Sequence, residues 1–270
     1  MVSGSTPSAD PKRRGTVDQQ QLTVKQFGAR AASYLSSAVH SRGADLDRLT
    51  ELVWKSKPAR VLDLGCGAGH ASYAAAAGEA RQVIAYDPSA DMLAIVAAEG
   101  TRRGFTNLET RVGAAEVLPF ENGTFDLIVT RYSAHHWANV PKALAECARV
   151  AALGARLVVI DLVSPETPLF DTSLQVVEFL RDASHVRDYR ASEWRAMQEA
   201  AGFRSPTITS WKLTMEFNSW IERIGTPPER VAALRAVFAA LPSEVKQYFQ
   251  VAPDLSFVTD SAWFETTRAA

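Results

Sequence analysis

The stretch VLDLGCGAGH, from Val61 to His70, places glycines at 65, 67 and 69 directly after an apolar run. Because glycine has no side chain, a ligand can approach the main chain closely at such positions. The loop follows a predicted strand and precedes a predicted helix, whose first N–H groups can face a ligand. This context favours a ligand-binding loop over a plain strand-to-helix turn.

An acid follows the loop at the distance that a nucleoside would need. Asp87 lies 18 residues beyond Gly69, at the end of the next predicted strand. A carboxylate there can accept hydrogen bonds from both hydroxyls of a ribose, and the alternative is that it caps the helix starting at Ser89. Met92, one turn into that helix, either flanks a purine ring or packs in the core. The loop and the acid together indicate a nucleoside-bearing cofactor.

The glycine spacing discriminates between cofactors. The dinucleotide pattern G-x-G-x-x-G would need a third glycine at position 70, where this chain has His70. A dinucleotide-dependent oxidoreductase is therefore the second choice. The pattern D-x-G-x-G-x-G, which starts at Asp63, instead resembles the first motif of the class I S-adenosylmethionine-dependent methyltransferases.

The resemblance covers roughly residues 25 to 264. GAAEVLPFENGTFDLIVTRYSAHHW resembles the part of that superfamily that runs from the adenine pocket into the fourth strand, and RVAALGARLVVID resembles its following helix and fifth strand. QFGARAASY and RDASHVR are similar to uncharacterised bacterial members grouped with the ubiquinone and menaquinone biosynthesis C-methyltransferases (methyltransferase type 11). The resemblance implies S-adenosylmethionine as cofactor and C- or O-methylation of a small molecule. A protein that binds the cofactor without transferring methyl groups is a further alternative.

The resemblance also implies a set of cofactor-binding residues. Asp87 would hold the ribose, and Tyr34, on the first predicted helix, would close over the cofactor carboxylate. Many relatives carry an acid where this chain has Ala114, so the main chain or a water would serve there. The full implied set is Tyr34, Asp63, Gly65, Cys66, Gly67, Gly69, Asp87, Pro88, Met92, Ala115, Glu116 and Arg131.

A carbon or phenol acceptor must also lose a proton, which requires a base. His136 is the first candidate, because it follows the fourth strand at the edge where reacting atoms meet. Phospho-base methyltransferases look similar in this region, since they have a histidine at the matching place that is paired with an N-terminal tyrosine. That resemblance implies that His136 pairs with Tyr34. His185, flanked by Arg181 and Arg187, is predicted to recognise an anionic or hydroxylated acceptor, or else to lie at a solvated helix end. The five histidines, all predicted near the site, are His40, His70, His135, His136 and His185.

The elements that position these residues follow from the hydrophobic pattern. Strands and helices alternate every 20 to 30 residues or so up to Asp161, which predicts a parallel, doubly wound sheet. The resemblance makes this an α/β, Rossmann-like sheet of seven strands with helical lid insertions. We expect a disordered tail at 1–20, a methyltransferase domain at 21–270 and lid segments at 164–190 and 218–251. A capping box at Thr226 is predicted to start a helix that reaches Ala240.

Composition limits the partners. The 270 residues are 47% hydrophobic and carry a net charge of −1, so no basic field favours nucleic acid. Cys66 and Cys147 are too few for a disulfide framework and lack the spacing with histidine that a zinc site needs, so no metal is expected. The first twenty residues contain no apolar core of the kind that a secretory signal needs, and the sequence has no apolar run of about 18 residues, so we expect neither a secretory signal nor a membrane span. These features predict a cytoplasmic protein, and we expect it to be a monomer or a homodimer.

Overall fold

The computed structural model describes residues 18–28 and 43–269. Tyr34 and His40 lie outside the described residues, and so does most of the tail predicted at 1–20. Within the described part of the chain, no helix is long and apolar enough to span a membrane.

A seven-stranded sheet lies at the centre of the fold, with the strand order β3-β2-β1-β4-β5-β7-β6. Strands β1 to β5 pair in parallel, and β7 runs antiparallel to both of its neighbours. The doubly wound, seven-stranded sheet is therefore confirmed, and the strands up to β5 are parallel as the alternation up to Asp161 predicts. The strands are β1 (Arg60–Leu64), β2 (Gln82–Asp87), β3 (Leu108–Val112), β4 (Phe125–Arg131), β5 (Ala151–Val163), β6 (Thr207–Met215) and β7 (Phe257–Thr267).

Ten α-helices are present among the described residues, and they cover both faces of the sheet and its carboxyl edge. A 3₁₀ turn, Ala134–His136, follows β4. The helices are α1 (Gln19–Gly28), α2 (Ala44–Ser56), α3 (His70–Ala77), α4 (Ala90–Arg102), α5 (Val140–Val150), α6 (Pro168–Arg181), α7 (Ala191–Ala200), α8 (Phe217–Ile224), α9 (Pro228–Ala240) and α10 (Ser243–Tyr248).

The central strands are buried on both faces, as their unbroken apolar sequences predict. Leu62 of β1 packs into a core that includes residues of α5 and α7. Its neighbour Val61 packs on the opposite face, in a core that includes Leu49 and Val53 of α2. Since the sheet is fixed from both sides, the loops at its carboxyl edge start from rigid positions.

A third core holds the helices that follow β5 and β6. Leu174 of α6, Trp220 of α8 and Phe238 of α9 pack together there, with Leu162 at the end of β5. This core supports the segments 164–190 and 218–251 over the carboxyl edge of the sheet.

Two local predictions in this region are wrong. Thr226 does not cap α9: Pro227 takes that position without a side-chain cap, and the Thr226 hydroxyl donates to the carbonyl of Arg181. The stretch PTITSWKLTMEF reads in the sequence as one long strand, but Phe217 begins α8, because the Glu216 carboxylate accepts from two N–H groups of the first turn. In both places a contact or cap that the pattern alone does not show decides the local structure.

Candidate functional site

A cavity of about 530 Å³ lies at the carboxyl ends of β1, β2 and β4. Most of the residues implied by the sequence come together there. Gly69 does not line the cavity but precedes α3 as its N-cap, and His185 also lies elsewhere. The sequence-predicted residues that line the cavity are Asp63, Gly65, Cys66, Gly67, Asp87, Pro88, Met92, Ala115, Glu116, Arg131 and His136.

The glycine loop is shaped by contacts on one side and by open space on the other. Its first glycine, Gly65, donates its N–H to the carbonyl of Tyr86 over 2.8 Å and has a φ of +68°. A Cβ there would overlap the Ser133 hydroxyl. A Cβ on Gly67 would meet no atom within 4 Å, and Gly67 lines the cavity. Gly65 therefore allows the loop to pack, and Gly67 leaves room for a ligand.

Asp87 connects the loop to the second strand. Its Oδ2 accepts from the N–H of Gly67 over 2.9 Å, and its Oδ1 accepts from the N–H of Ser89 over 2.8 Å. Burial raises the pKa of the Asp87 carboxyl, and the two N–H groups act in the opposite direction. The Ser89 hydroxyl, and not Asp87, accepts from Met92 as the helix cap. Each carboxylate oxygen of Asp87 keeps a lone pair for a ligand.

Asp63 is a buried acid with one unsatisfied oxygen. It is 1% exposed, and its Oδ2 accepts from the Ser72 hydroxyl over 2.5 Å. Its Oδ1 has no hydrogen-bond partner. Burial raises the pKa of the Asp63 carboxyl to about 7. A cationic or hydrogen-bond-donating ligand group in the cavity would satisfy this carboxyl.

The pKa of Asp63 leads to a prediction about stability. The folded protein favours the neutral carboxyl, so the stability that Asp63 contributes is fully present below about pH 4. This contribution to the free energy of unfolding, up to about 4 kcal/mol, is lost as the pH rises through about 7. We expect Asp63→Asn, which keeps a partner for Ser72, to remove this part of the pH dependence. Urea unfolding of both proteins between pH 4 and 8 measures it, and parallel curves would contradict the prediction.

The side chain of Arg131 has a structural partner. Its Nε donates to Asp45 over 2.5 Å, and both side chains are nearly buried. This ion pair attaches α2 to the end of β4, so the Arg131 side chain serves the scaffold while the residue lines the cavity. Glu116 is likewise held, because its Oε1 accepts from the N–H of Asn139.

Helix α1 covers the cavity through contacts that the sequence does not reveal. The Gln19 amide donates to the carbonyl of Ser184 over 2.5 Å and to that of His136 over 3.3 Å. The ring of Phe27 packs edge-on against His136 with 4.8 Å between the ring centroids. These partners are more than 100 residues away along the chain, so only the folded structure brings them together.

His136 lies under α1 with its ring hydrogen-bonded on one side. Its Nδ1 is 3.2 Å from the carbonyl oxygen of Ser184, which can only accept, so Nδ1 carries the proton. Nε2 is then free to accept a proton, and it lies 4.0 Å from the Asp182 carboxylate. Burial, with the charge of His135, lowers the pKa of His136 to about 4. The imidazole is therefore neutral at pH 7.

The neighbouring His135 has the opposite charge preference. Burial opposes its charge, but its ion pair with Asp161, at 2.6 Å, prevails and raises the pKa of His135 to about 9. At pH 7 the two adjacent histidines thus differ: His135 is an imidazolium and His136 is neutral.

His185 is not where the sequence placed it. It is 6% exposed, lines neither cavity described here and lies 3.1 Å from the amide oxygen of Gln175. Burial lowers the pKa of His185 to about 2. The flanking Arg187 pairs with Asp171 and Glu193. Neither acceptor recognition nor a solvated helix end describes this buried position.

A second cavity of about 60 Å³ adjoins the first. The two share Phe27, Tyr132 and His136 as lining residues. Its other walls come from the ends of β5 and β6 and from α6 and α8, including Glu178 and Trp220. His136 thus stands at the junction between a large and a small cavity.

Comparisons with known proteins agree with this architecture. The family model described as "Methyltransferase domain" matches residues 62–159. The chain is 42% identical over 188 residues to the uncharacterized protein YafE of Escherichia coli, and the matched part covers 70% of this chain and 91% of YafE. It is 36% identical over 204 residues to the uncharacterized methyltransferase YcgJ of Bacillus subtilis, covering 76% of this chain and 80% of YcgJ.

A solved structure shows the same fold. The crystal structure of a putative methyltransferase from Bacillus halodurans superposes with a TM-score of 0.80 at 30% identity, covering 84% of this chain and all of that chain. The sheet order and the glycine loop define a class I methyltransferase fold, which confirms the predicted fold class. The chain belongs to the methyltransferase family. It is also similar, at 28% identity over 227 residues, to the ubiquinone/menaquinone biosynthesis C-methyltransferase UbiE of Haemophilus ducreyi, covering 70% of this chain and 82% of UbiE.

Proposed function

We propose that this methyltransferase uses S-adenosylmethionine and methylates a carbon or oxygen atom of a small molecule. The proposal rests on one observation: Gly67 and Asp87 line the same cavity. Gly67 leaves open space where any other residue would project a side chain, and the Asp87 carboxylate faces the same space from the next strand. That combination suits a nucleoside whose sugar hydroxyls need an acceptor.

The remaining lining fits the rest of the cofactor. The unsatisfied oxygen of Asp63 suits the ammonium group of a methionine moiety, because it lies buried in the cavity wall. Met92 and Ala115 supply apolar walls suited to an adenine ring. When bound, the cofactor supplies a methyl group already activated on a sulfonium. The protein then needs chiefly to align the acceptor and exclude water.

The junction of the two cavities is our proposed site for the acceptor. An acceptor in the smaller cavity would reach the larger one between Phe27, Tyr132 and His136. The neutral His136 there would take the proton at Nε2, and the nearby Asp182 carboxylate would stabilise the resulting charge. The smaller cavity admits only a small group, which supports a small-molecule acceptor. The similarity to ubiquinone and menaquinone C-methyltransferases supports carbon as the acceptor atom.

The segments 164–190 and 218–251 are our proposed lid. Their helices α6 and α8 form walls of the smaller cavity through Glu178 and Trp220. Closing these helices over an acceptor would exclude water from the junction.

The proposal is tested by calorimetric titration of the purified protein with S-adenosylhomocysteine and with NAD⁺. We expect a one-to-one complex with S-adenosylhomocysteine and no heat from NAD⁺. Binding of NAD⁺ alone would favour the oxidoreductase alternative. Incubation with radiolabelled S-adenosylmethionine and a bacterial metabolite extract then tests transfer, since a protein that only binds the cofactor would label nothing.

A further inference from the structure

A cluster of ionisable side chains is buried beside the second cavity. A ring nitrogen of His135 and one carboxylate oxygen each of Asp161 and Asp188 lie within 4.8 Å of one another. Asp161 and Asp188 are each 1% exposed. The three residues come from the turn after β4, from β5 and from the loop after α6, so their spacing in the sequence resembles no metal motif.

Asp188 is the anomaly in this cluster. Neither of its carboxylate oxygens has a hydrogen-bond partner. The nearest ring nitrogen, Nε2 of His185, is 4.0 Å away and donates to the Gln175 amide oxygen instead. A carboxylate without partners is strongly disfavoured in a protein interior, because it gives up its hydration and gains nothing. Such a group calls for a further ligand.

The main chain holds Asp188 in this place. Its N–H donates to the Gln175 amide oxygen over 3.1 Å, and its carbonyl accepts from the Gln175 amide nitrogen over 2.7 Å. The carbonyl of His135 accepts from the N–H groups of Val186 and Arg187, which ties the loop to the turn after β4. These bonds fix the main chain from which the Asp188 side chain projects.

The Asp161 side chain is also held in place by hydrogen bonds. The Asp161 carboxylate accepts from the N–H of Leu162 over 2.9 Å and from that of Ala134 over 3.1 Å, besides its contact with His135. A set of donors that is already oriented by neighbouring hydrogen bonds is what metal ligands need.

We propose that His135, Asp161 and Asp188 bind one divalent transition-metal ion. Imidazole and carboxylate donors together suit Mn²⁺, Fe²⁺ or Zn²⁺, whereas Mg²⁺ and Ca²⁺ prefer oxygen ligands alone. The ion takes the place of the proton that His135 shares with Asp161 and supplies the partner that Asp188 lacks. His135 also lines the second cavity, so the ion can enter from there and keep an open coordination position towards it.

Metal binding is tested without cofactor or acceptor, so the result does not depend on the proposed methyl transfer. Protein treated with EDTA and then desalted is titrated with MnCl₂, ZnCl₂ and MgCl₂ by calorimetry. We expect one site for Mn²⁺ and Zn²⁺, and Mg²⁺ binding at least tenfold weaker. Asp188→Asn should weaken Mn²⁺ and Zn²⁺ binding at least 100-fold, and His135→Gln should do the same if the first variant folds poorly.

The control is Asp91→Asn. Asp91 is an exposed acid on the first turn of α4 that lines neither cavity described here, and we expect that variant to bind the ion like the parent. Absence of a site in the parent protein would overturn the proposal, as would equal binding by the parent and Asp188→Asn. Equally tight Mg²⁺ would overturn the assignment to a transition metal.

Discussion

Asp87→Ala is expected to abolish measurable binding of S-adenosylhomocysteine. A hydrogen bond to a charged group contributes about 1.5 to 3 kcal/mol, and a ribose presents two hydroxyls to this carboxylate. The loss is therefore about 3 kcal/mol or more, which is at least about a 100-fold increase in Kd. The variant also removes the acceptor of the Gly67 N–H, which orients the loop. Calorimetric titration of the variant measures the combined effect.

The control for this prediction lies four residues further on. Asp91 is an exposed acid on the first turn of α4 and lines neither cavity described here. Asp91→Ala removes the same charge and should leave the Kd within about twofold, since surface substitutions away from specific contacts have small effects. Thermal unfolding is measured in parallel. If Asp87→Ala lowered the melting temperature but bound the ligand normally, its carboxylate would serve only to hold the loop and the start of α4.

The sequence predicts the part of the site that is local in the chain. The loop from Gly65 to Gly67 and the acid Asp87 end neighbouring parallel strands, and parallel strands bring their carboxyl ends to one edge. The contacts of His136 are different. Its partners, Phe27 on α1 and Ser184 after α6, depend on how distant helices pack over that edge. No spacing rule predicts such packing.

The same distinction explains which parts of the fold could be predicted. The alternation of apolar runs and helical segments up to β5 predicts the sheet, because each strand there is covered on both faces. After β5 the pattern weakens, and Phe217 fits either a strand end or the helix that it begins. The cap from Glu216 favours the helix. His185 was misplaced for a related reason: its flanking charges suggest a solvated surface, but Arg187 pairs with Asp171 and the segment is buried.

His136→Ala is expected to lower kcat by about 100-fold or more while S-adenosylhomocysteine still binds. The imidazole is the neutral ring at the junction of the cavities, with Nδ1 engaged by the Ser184 carbonyl and Nε2 open to a proton. Because the pKa of His136 is lowered to about 4, it is a weak base in the free protein. The Asp182 carboxylate, 4.0 Å from Nε2, would offset this weakness once the ring becomes charged. The rate is measured with the acceptor isolated from the labelled extract.

Alanine at position 136 also removes the ring against which Phe27 packs, and that contact holds α1 over the cavity. His136→Phe separates the two effects, because it keeps an aromatic ring against Phe27 but has no atom that can accept a proton. A proton-accepting role requires both variants to lose kcat to a similar extent, with KM for S-adenosylmethionine little changed in the phenylalanine variant. If phenylalanine restored kcat, the ring would act only by positioning α1, and the proton would have to go elsewhere.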